Sequence, residues 1–431
     1  MIPLSLLVGK MTLGLLRLFR RTGSALPGLV VEKLHKRFLP QMLATLPRGV
    51  VVVTGTNGKT TTTKLITELL RAEGLRVLTN KTGSNFERGI ASVVIDRAHL
   101  NGRLDYDIAV LELDEAHAVH FAKRTPPTGL VALNIMRDQM DRFGEIDTTA
   151  HLLAKVAEQT TGWLVLNAND PRISKLADDA GSKKVLWFGY DRKLTRSFIT
   201  DDSYYHGDDT TFFSAALPDI RLVSTINEQG MMQVGVGGSI VDIKTKLEGS
   251  HNAINVTAAL VALEAVLPDA DPDRALEALE AVEPAFGRGE HIKLKNGATV
   301  RLQLVKNPGG FSYVLHALKM QPKPDVVGIA INDDYADGRD VSWLWDVQYD
   351  SLEGLPPVVC GGTRASDMAV RLKYDGIATG EIEHELSAFL EQCVGQTSEP
   401  DQQIVIFTTY TAMLKLRELL TAHSEIKKVG V

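Results

Sequence analysis

A glycine-rich loop between a predicted strand and a predicted helix contains the side chains best suited to chemistry. Val50 to Thr54 is a β-branched run typical of a buried strand, and residues 60 to 74 carry leucines at helical spacing. The loop and the first helical turn supply Gly55, Thr56, Asn57, Gly58, Lys59, Thr60 and Thr61. Backbone N–H groups in such a loop converge on phosphate oxygens, and the helix N-terminus adds positive potential. We therefore expect phosphate binding, although the general P-loop pattern has glycine where this sequence has Val53.

The loop and four later segments, in the same order, resemble the Mur ligase family of ATP-dependent ligases. The matches are the loop sequence TGTNGKTTT and residues 111–116, 134–144, 249–255 and 286–288. The resemblance implies that Thr60 and Glu112 bind Mg²⁺. It also implies that His251 and Asn252 contact the nucleotide and that Arg288 supplies positive charge. From the residues alone, Glu112 could instead be a surface acid, His251 a helix cap and Arg288 a hinge salt bridge.

In two features the sequence departs from the general family pattern and resembles one branch of the family, the MurT subunits. The loop begins near residue 54, so we expect no UDP-binding domain before it, and Gln139 stands where other Mur ligases have histidine. Residues 332–346, 362–372 and 409–414 are also similar to MurT segments. The branch implies a lipid II isoglutaminyl synthase, which converts the α-carboxylate of D-glutamate in the stem peptide of lipid II to an amide. Many relatives carry a four-cysteine zinc ribbon, but this sequence has no cysteine before Cys360, so no zinc is expected.

A second subunit is implied as the source of ammonia. In the branch, a GatD-like class I glutaminase releases ammonia from glutamine, and one aspartate of the synthetase completes its Cys-His pair. By position we predict Asp340, with Asp337 and Asp346 as alternatives. Trp343 and Trp345 in the same acidic segment suggest a contact surface, although such a segment could also be a solvated turn. Cys360 at a strand end is expected to be a small buried residue rather than a nucleophile, and Cys393 in a helix-like polar stretch is expected to be inert, so this chain should not hydrolyse glutamine alone.

The implied reaction needs positioning and charge neutralisation more than it needs a reactive side chain. A carboxylate is a poor electrophile, and transfer of the γ-phosphoryl group converts it to an acyl phosphate that ammonia can attack. Lys59 would reach the terminal phosphates, and Thr60 and Glu112 would hold Mg²⁺.

The composition indicates what class of protein this chain belongs to. The chain has 431 residues, of which 44% are hydrophobic and 23% charged, with a net charge of −6. These values are ordinary for a globular enzyme of two or three domains. They do not favour nucleic-acid binding, which needs a basic face. Two cysteines fit a reducing cytoplasm, and lipid II as substrate allows a location at the inner face of the membrane.

Elements that must position the loop alternate between strands and helices, which predicts an α/β fold. We predict a central domain over 49–288 with a mainly parallel sheet and antiparallel strands within 210–246. A smaller Rossmann-like α/β domain over 289–431 should follow a hinge near 283–289 and contact the partner. Predicted strands are 50–54, 108–113, 129–134, 163–167, 326–331, 357–360 and 404–408, and the predicted second helix of the site is 250–266.

The first 48 residues form a separate N-terminal segment. Residues 1–19 are apolar but interrupted by Lys10 and followed by Arg17, Arg20 and Arg21. The run is too short and too broken for a membrane span, and a signal peptide would carry its charge first. An amphipathic helix with a basic end is predicted. Packing on the next domain is the favoured interpretation, with contact to a membrane surface as the alternative.

Three other functions remain open at this stage. A folylpolyglutamate synthase has the same fold, but its loop normally lacks a threonine after the lysine. A Mur ligase that adds an amino acid would use the same activation. A protein that binds ATP only to regulate a partner would not need intact Lys59, Thr60 and Glu112.

Overall fold

Two β-sheets organise the chain in the computed structural model. The structure describes residues 1–18, 25–80, 86–136, 146–191, 194, 220–227, 231–236, 239–284, 288–319 and 321–424. The helices are α1 Ile2–Leu18, α2 Leu26–Leu34, α3 Phe38–Leu43, α4 Lys59–Ala72, α5 Glu87–Arg97, α6 Glu115–Arg124, α7 Ile146–Gln159, α8 Pro171–Ser174, α9 Ser250–Val266, α10 Pro272–Ala281, α11 Pro308–Lys319, α12 Ala365–Tyr374, α13 Leu386–Gly395 and α14 Tyr410–His423. Short 3₁₀ turns lie at Lys175–Ala177, Ser342–Asp346 and Asp350–Leu352.

The first sheet has nine described strands, in the spatial order β2-β3-β1-β4-β5-β6-β7-β8-β9. They are β1 Val50–Thr54, β2 Val77–Thr79, β3 Ile108–Glu112, β4 Gly129–Ala132, β5 Trp163–Asn167, β6 Lys184–Tyr190, β7 Ile220–Ile226, β8 Met232–Val236 and β9 Ser239–Ile243. Pairing is parallel from β2 through β7 and antiparallel from β7 to β9. The chain order reverses direction at β1, which lies between β3 and β4. Ligands of open α/β sheets bind at such a switch point, at the carboxyl ends of the strands.

Both faces of this sheet are covered, which explains why β1 is β-branched throughout. Val50 and Val52 pack into one core with helices α5, α6 and α7, whereas Val51 and Val53 pack into another with α4 and α9. Successive side chains of a strand point to opposite faces, so a strand buried on both sides needs a continuous apolar run. The carboxyl end of β1 is thereby fixed between two cores, and the loop that follows it starts from a rigid point.

The second sheet has six described strands, in the order β10-β11-β15-β12-β13-β14. They are β10 Arg288–Lys293, β11 Thr299–Leu304, β12 Val326–Ala330, β13 Val358–Gly361, β14 Thr379–Glu383 and β15 Gln403–Thr408. Only the β10–β11 pair is antiparallel. Strand β10 begins beside the predicted boundary at residue 288, although the boundaries themselves remain a prediction.

Most predicted elements match the described ones to within one or two residues, and the α/β class is confirmed. Strands β2, β6, β10, β11 and β14 were not predicted. The antiparallel strands expected within 210–246 are present as β7–β9, and residues 210–219 of that range lie outside the described residues.

Helices α1 to α3 form a layer against the first sheet. Leu6 of α1 and Val31 of α2 are fully buried in the same core as Ile95 of α5. The inner face of the N-terminal segment therefore packs on the next domain, as the favoured interpretation predicts. Among the described residues, no helix is long and apolar enough to cross a membrane.

Candidate nucleotide and metal site

Glycines let the loop after β1 turn tightly onto its neighbours. Gly58 has a φ of +88°, and a side chain there would place its Cβ atom 2.3 Å from Asn255 Oδ1 of α9. Gly55 has a φ of +130° and lies against the backbone of Asn134, which leaves no room for a Cβ atom. The left-handed conformation favours glycine, and here close contacts exclude every other residue as well. Only glycine fits at these two positions, so Gly55 and Gly58 fix the path of the loop against Asn134 and α9.

The side chain of Asn134 fixes the far side of the loop. Its Oδ1 accepts from the Asn57 N–H at 2.8 Å, and its Nδ2 donates to the Asn57 carbonyl at 3.0 Å. The Thr56 N–H donates to the Asn134 carbonyl at 2.9 Å. Asn134 follows β4, the neighbour of β1 at the switch point. Its position explains why the matched segment 134–144 begins with asparagine, and it holds the loop open before any phosphate binds.

Lys59 lies beneath the loop rather than in solvent. Its ammonium group donates to the Gly55 carbonyl at 2.7 Å and forms ion pairs with Asp114 at 3.2 Å and Glu115 at 3.6 Å. Burial raises the pKa of the Asp114 carboxyl, but the Lys59 and Lys306 ammonium groups outweigh burial and leave that pKa lowered. Asp114 is thus held as a carboxylate, and its ion pair together with the Gly55 carbonyl fixes the position of the Lys59 ammonium group.

Thr60 and Glu112 meet as the predicted metal site requires. The Thr60 hydroxyl donates to Glu112 Oε1 at 2.9 Å, and both side chains are buried. Asn80 fixes the Glu112 backbone, since its Oδ1 accepts from the Glu112 N–H and its Nδ2 donates to the Glu112 carbonyl. Mg²⁺ binds through one or two protein oxygens with water and phosphate oxygens completing its octahedron. A hydroxyl and a carboxylate at the N-terminus of α4 fit that donor set.

A cleft opens in front of the loop, between the two sheets. The predicted residues in its wall are Asn57, Gly58, Thr61, His251 and Asn252. The second sheet contributes Gln303, Leu304, Lys306, Gly310, Tyr313 and Val314. The Arg288 backbone lies at the start of β10, paired with Gln303, while its side chain is not among the described ones. Residues 137–145, with Gln139 and most of the third matched segment, also lie outside the described residues.

Part of the cleft wall was missed by the sequence analysis. Asn167, Asn169, Asp170 and Tyr190 line the cleft at the carboxyl ends of β5 and β6. Burial raises the pKa of the Asp170 carboxyl, although the Ile135 N–H donates to it at 2.7 Å. A cluster of two asparagines and an aspartate directly after a buried strand was the available signal, because ligands bind at strand ends in such sheets.

Asp340 lies in another part of the molecule, on the 332–346 segment of the second sheet. Its Oδ1 accepts from the Ser342 N–H at 2.8 Å, at the first residue of the 3₁₀ turn, and the residue is half-buried. Asp337 is buried, with its carboxylate bonded to the Thr411 N–H and hydroxyl. Of these two acids, Asp340 is therefore the more accessible to a partner.

The tryptophan expectation needs correction. Trp343 is buried in the second-sheet core with its ring 6.4 Å from that of Phe311, so it stabilises the fold and offers no contact surface. Trp345 is 49% exposed and packs its edge against Tyr374, which is also exposed. A 3₁₀ turn has three residues per turn, so Trp343 and Trp345, two residues apart, point in different directions. Composition alone does not show which of the two tryptophans is buried.

Both cysteines are unsuited to nucleophilic chemistry. Cys360 in β13 and Cys393 in α13 are fully buried, and burial raises the pKa of each thiol to about 12. The thiolate needed for attack on an amide is therefore negligible at neutral pH. The expectation that Cys360 is buried is confirmed, and Cys393 is buried as well.

These features define a P-loop ligase of the Mur type, with a nucleotide cleft between a larger and a smaller α/β unit. Residues 53–263 match the model of the Mur ligase middle domain, and residues 304–413 match that of the MurT ligase C-terminal domain. The chain is 31% identical to a lipid II isoglutaminyl synthase (glutamine-hydrolyzing) subunit MurT from Streptococcus pneumoniae, over 94% of each chain. The chain belongs to the MurT subunit family.

Solved Mur ligases show the same fold. MurF from Acinetobacter baumannii has a TM-score of 0.67 at 18% identity, covering 90% of this chain and 80% of that one. MurF from Thermotoga maritima in complex with ADP has a TM-score of 0.66 at 16% identity, covering 91% and 84%. At these identities the likeness shows the fold alone.

Proposed function

We propose that this chain is the synthetase subunit of a lipid II isoglutaminyl synthase of peptidoglycan synthesis. It would use ATP to phosphorylate the α-carboxylate of D-glutamate in the lipid II stem peptide. Ammonia would then displace phosphate from the acyl phosphate, giving D-isoglutamine, ADP and inorganic phosphate. The observation that carries the proposal is the buried hydrogen bond between Thr60 and Glu112, next to Lys59, in a chain of the MurT family. The neighbouring residues Gly58 and Thr61 line the cleft that both sheets share.

Different residues of the site would bind the phosphates, the metal ion and the nucleoside. Backbone N–H groups of the loop and Lys59 would hold the β- and γ-phosphates, with Lys59 neutralising charge as the γ-phosphoryl group moves. Thr60 and Glu112 would hold Mg²⁺, which would supply positive charge to the phosphates when bound. Asn252, His251 and Tyr190 would contact the nucleoside, and Arg288 would add positive charge from the hinge. In this proposal residues 49–288 form the ATP-binding domain, and residues 289–431 close over it.

Ammonia would come from a GatD-like glutaminase bound to the second sheet. The buried thiols argue that this chain does not hydrolyse glutamine itself, because neither can form a thiolate at neutral pH. Asp340 would orient the imidazole of the partner's Cys-His pair. Free, buried cysteines and the need for ATP support a location in the cytoplasm.

Reconstitution with the partner tests the proposal. The purified chain, the glutaminase, lipid II, ATP and glutamine should give amidated lipid II with one ADP formed per amide. The chain alone should release no glutamate from glutamine but should amidate lipid II with added ammonium. Addition of an amino acid to the stem peptide, or glutamylation of a folate, would replace the proposal with one of the ligase alternatives. ATP binding without turnover under every condition would favour a regulatory protein.

A further inference from the structure

The outward face of α1 is apolar along its whole length. Its members lie between 47% and 75% exposed and are Leu4, Leu7, Met11, Leu15 and Leu18. Spacings of three and four residues place them on one face of the helix, which we call the α1 stripe. A helix on the surface of a globular protein normally presents polar residues outward. A continuous exposed apolar stripe marks a surface that something covers.

Close packing holds the stripe outward. On the opposite face of α1, a Cβ atom at Gly9 would lie 2.8 Å from Ile95 and 2.9 Å from Val31. Lys10 and Arg17, on the flank, both reach Asp96 of α5, through its carbonyl at 3.1 Å and its carboxylate at 2.8 Å. Turning the stripe inward would break these contacts and place side chains where only glycine fits. The stripe is therefore part of the folded surface.

Charge distinguishes the N-terminal segment from the rest of the chain. Residues 1–48 contain eight Lys and Arg and one Glu, a net charge of +7. The whole chain carries −6, so the remaining residues carry −13. Lys33, Lys36 and Arg37 are exposed and line one open groove, and Leu34 beside them is exposed as well. Positive charge next to exposed apolar side chains complements an anionic lipid surface.

We propose that α1 lies in the interface of an anionic phospholipid bilayer, with the α1 stripe among the acyl chains and the basic groove at the headgroups. The described helices are too short and too polar to span the bilayer, so α1 would lie along it. A second copy of the chain is disfavoured because two segments of +7 would repel each other. The benefit of this membrane contact rests on the proposed function, because binding of α1 to the bilayer would place the cleft near a lipid-linked substrate. Membrane binding itself does not depend on the reaction.

Vesicle sedimentation with matched variants tests the proposal. Full-length chain, alone and with its glutaminase, is mixed with vesicles of phosphatidylglycerol and phosphatidylcholine and with vesicles of phosphatidylcholine alone. The stripe variant is Leu7→Glu with Met11→Glu. The control is Met231→Glu with Ile240→Glu. Met231, immediately before β8, is 41% exposed, and Ile240 in β9 is 65% exposed. Both lie where the strand order of the first sheet ends. Lys33→Glu with Lys36→Glu tests the charge.

Wild type and the control should sediment with anionic vesicles, less so at high salt. The stripe variant should partition roughly tenfold less, because buried apolar area sets interfacial affinity. The lysine variant should lose affinity only for anionic vesicles. The proposal is overturned if wild type stays in the supernatant or if stripe and control variants bind alike. It is also overturned if the stripe variant instead dissociates a dimer or releases the glutaminase.

Two forms of the substrate separate this proposal from the proposed function. The stripe variant should amidate lipid II in detergent micelles at the wild-type rate and lipid II in vesicles more slowly. Equal rates in vesicles would reject the membrane contact and leave the function intact. No amidation by wild type in either form, with vesicle binding retained, would reject the function and leave the contact intact.

Discussion

In the proposed reaction, phosphoryl transfer depends most on Lys59. Lys59→Ala should lower the amidation rate at least about 100-fold, because the loop would lose the ammonium group that neutralises charge on the transferred phosphoryl group. Lys64→Ala is the matched control, since Lys64 lies on the same helix and bonds only the Glu283 carbonyl in the described structure. Amidation assays and thermal melts measure the two effects. A Lys59→Ala enzyme with near-normal rate and stability would refute the assignment of the ATP site.

The Glu112 carboxylate should set the requirement for magnesium. Glu112→Gln keeps a hydrogen-bond acceptor for the Thr60 hydroxyl but removes the charge, so half-maximal activity should need about tenfold more Mg²⁺. Glu68→Gln, an exposed acid on α4 paired with Arg71, should leave the Mg²⁺ titration unchanged. Identical titrations for wild type and Glu112→Gln would make Glu112 a structural residue.

Asp340 should matter only when glutamine supplies the nitrogen. An Asn side-chain oxygen accepts from a backbone N–H as an Asp oxygen does, so Asp340→Asn should keep the bond to the Ser342 N–H and the stability of the fold. Loss of an orienting carboxylate costs on the order of 10⁴-fold in a Ser-His-Asp protease, and a thiolate should need it less. Amidation from glutamine should fall steeply while amidation from ammonium survives.

The same assay on the neighbouring acids checks the choice of residue. If Asp337→Asn or Asp346→Asn loses the glutamine route while Asp340→Asn keeps it, the cross-subunit triad stands with a different aspartate. If both routes fail together in Asp337→Asn, the cause is the lost bond to Thr411 and hence the fold. Full activity of all three variants with glutamine would make the segment an ordinary turn.

At the scale of elements, the sequence was most informative where chemistry and pattern coincide. The strand before the loop, the helix after it and helix α9 were predicted almost to the residue, because a buried parallel strand is continuously apolar and a helix has its own period. Strand β2 was missed since three residues carry no period. Strand β14 was missed because it lies at the edge of its sheet, where its glutamates face solvent.

Only part of the site was predicted, because some of its residues are far apart in the sequence. Loop residues and Glu112 follow from local sequence, whereas Asn80, Asn134 and Asp170 come from separate strand ends that only the sheet order brings together. Their spacing along the chain carries no sign of this convergence. Only the fold shows that asparagine amides hold both the loop and the strand that ends in Glu112.

At the scale of the whole molecule, one amide pair joins the two sheets across the cleft. Asn57 in the loop and Asn307 before α11 exchange hydrogen bonds at 3.3 and 3.1 Å, and Asn307 also caps α11 through the Gly310 N–H. Asn307→Ser should keep the cap and the stability but lose the link to the loop. The KM for ATP should rise about threefold to tenfold with little change in melting temperature, given a loss of about 1 kcal/mol per hydrogen bond. An unchanged KM would show that the two units position the nucleotide independently.

Burial of both thiols has a practical consequence for spectroscopy. With each thiol pKa near 12 and each side chain inaccessible, the native protein should react slowly with maleimides. A single cysteine placed on an exposed surface would then take a spin label or fluorophore selectively, without removal of Cys360 or Cys393. Such a label on the second sheet, paired with one on the first, would report the distance between the two units as nucleotide and partner bind.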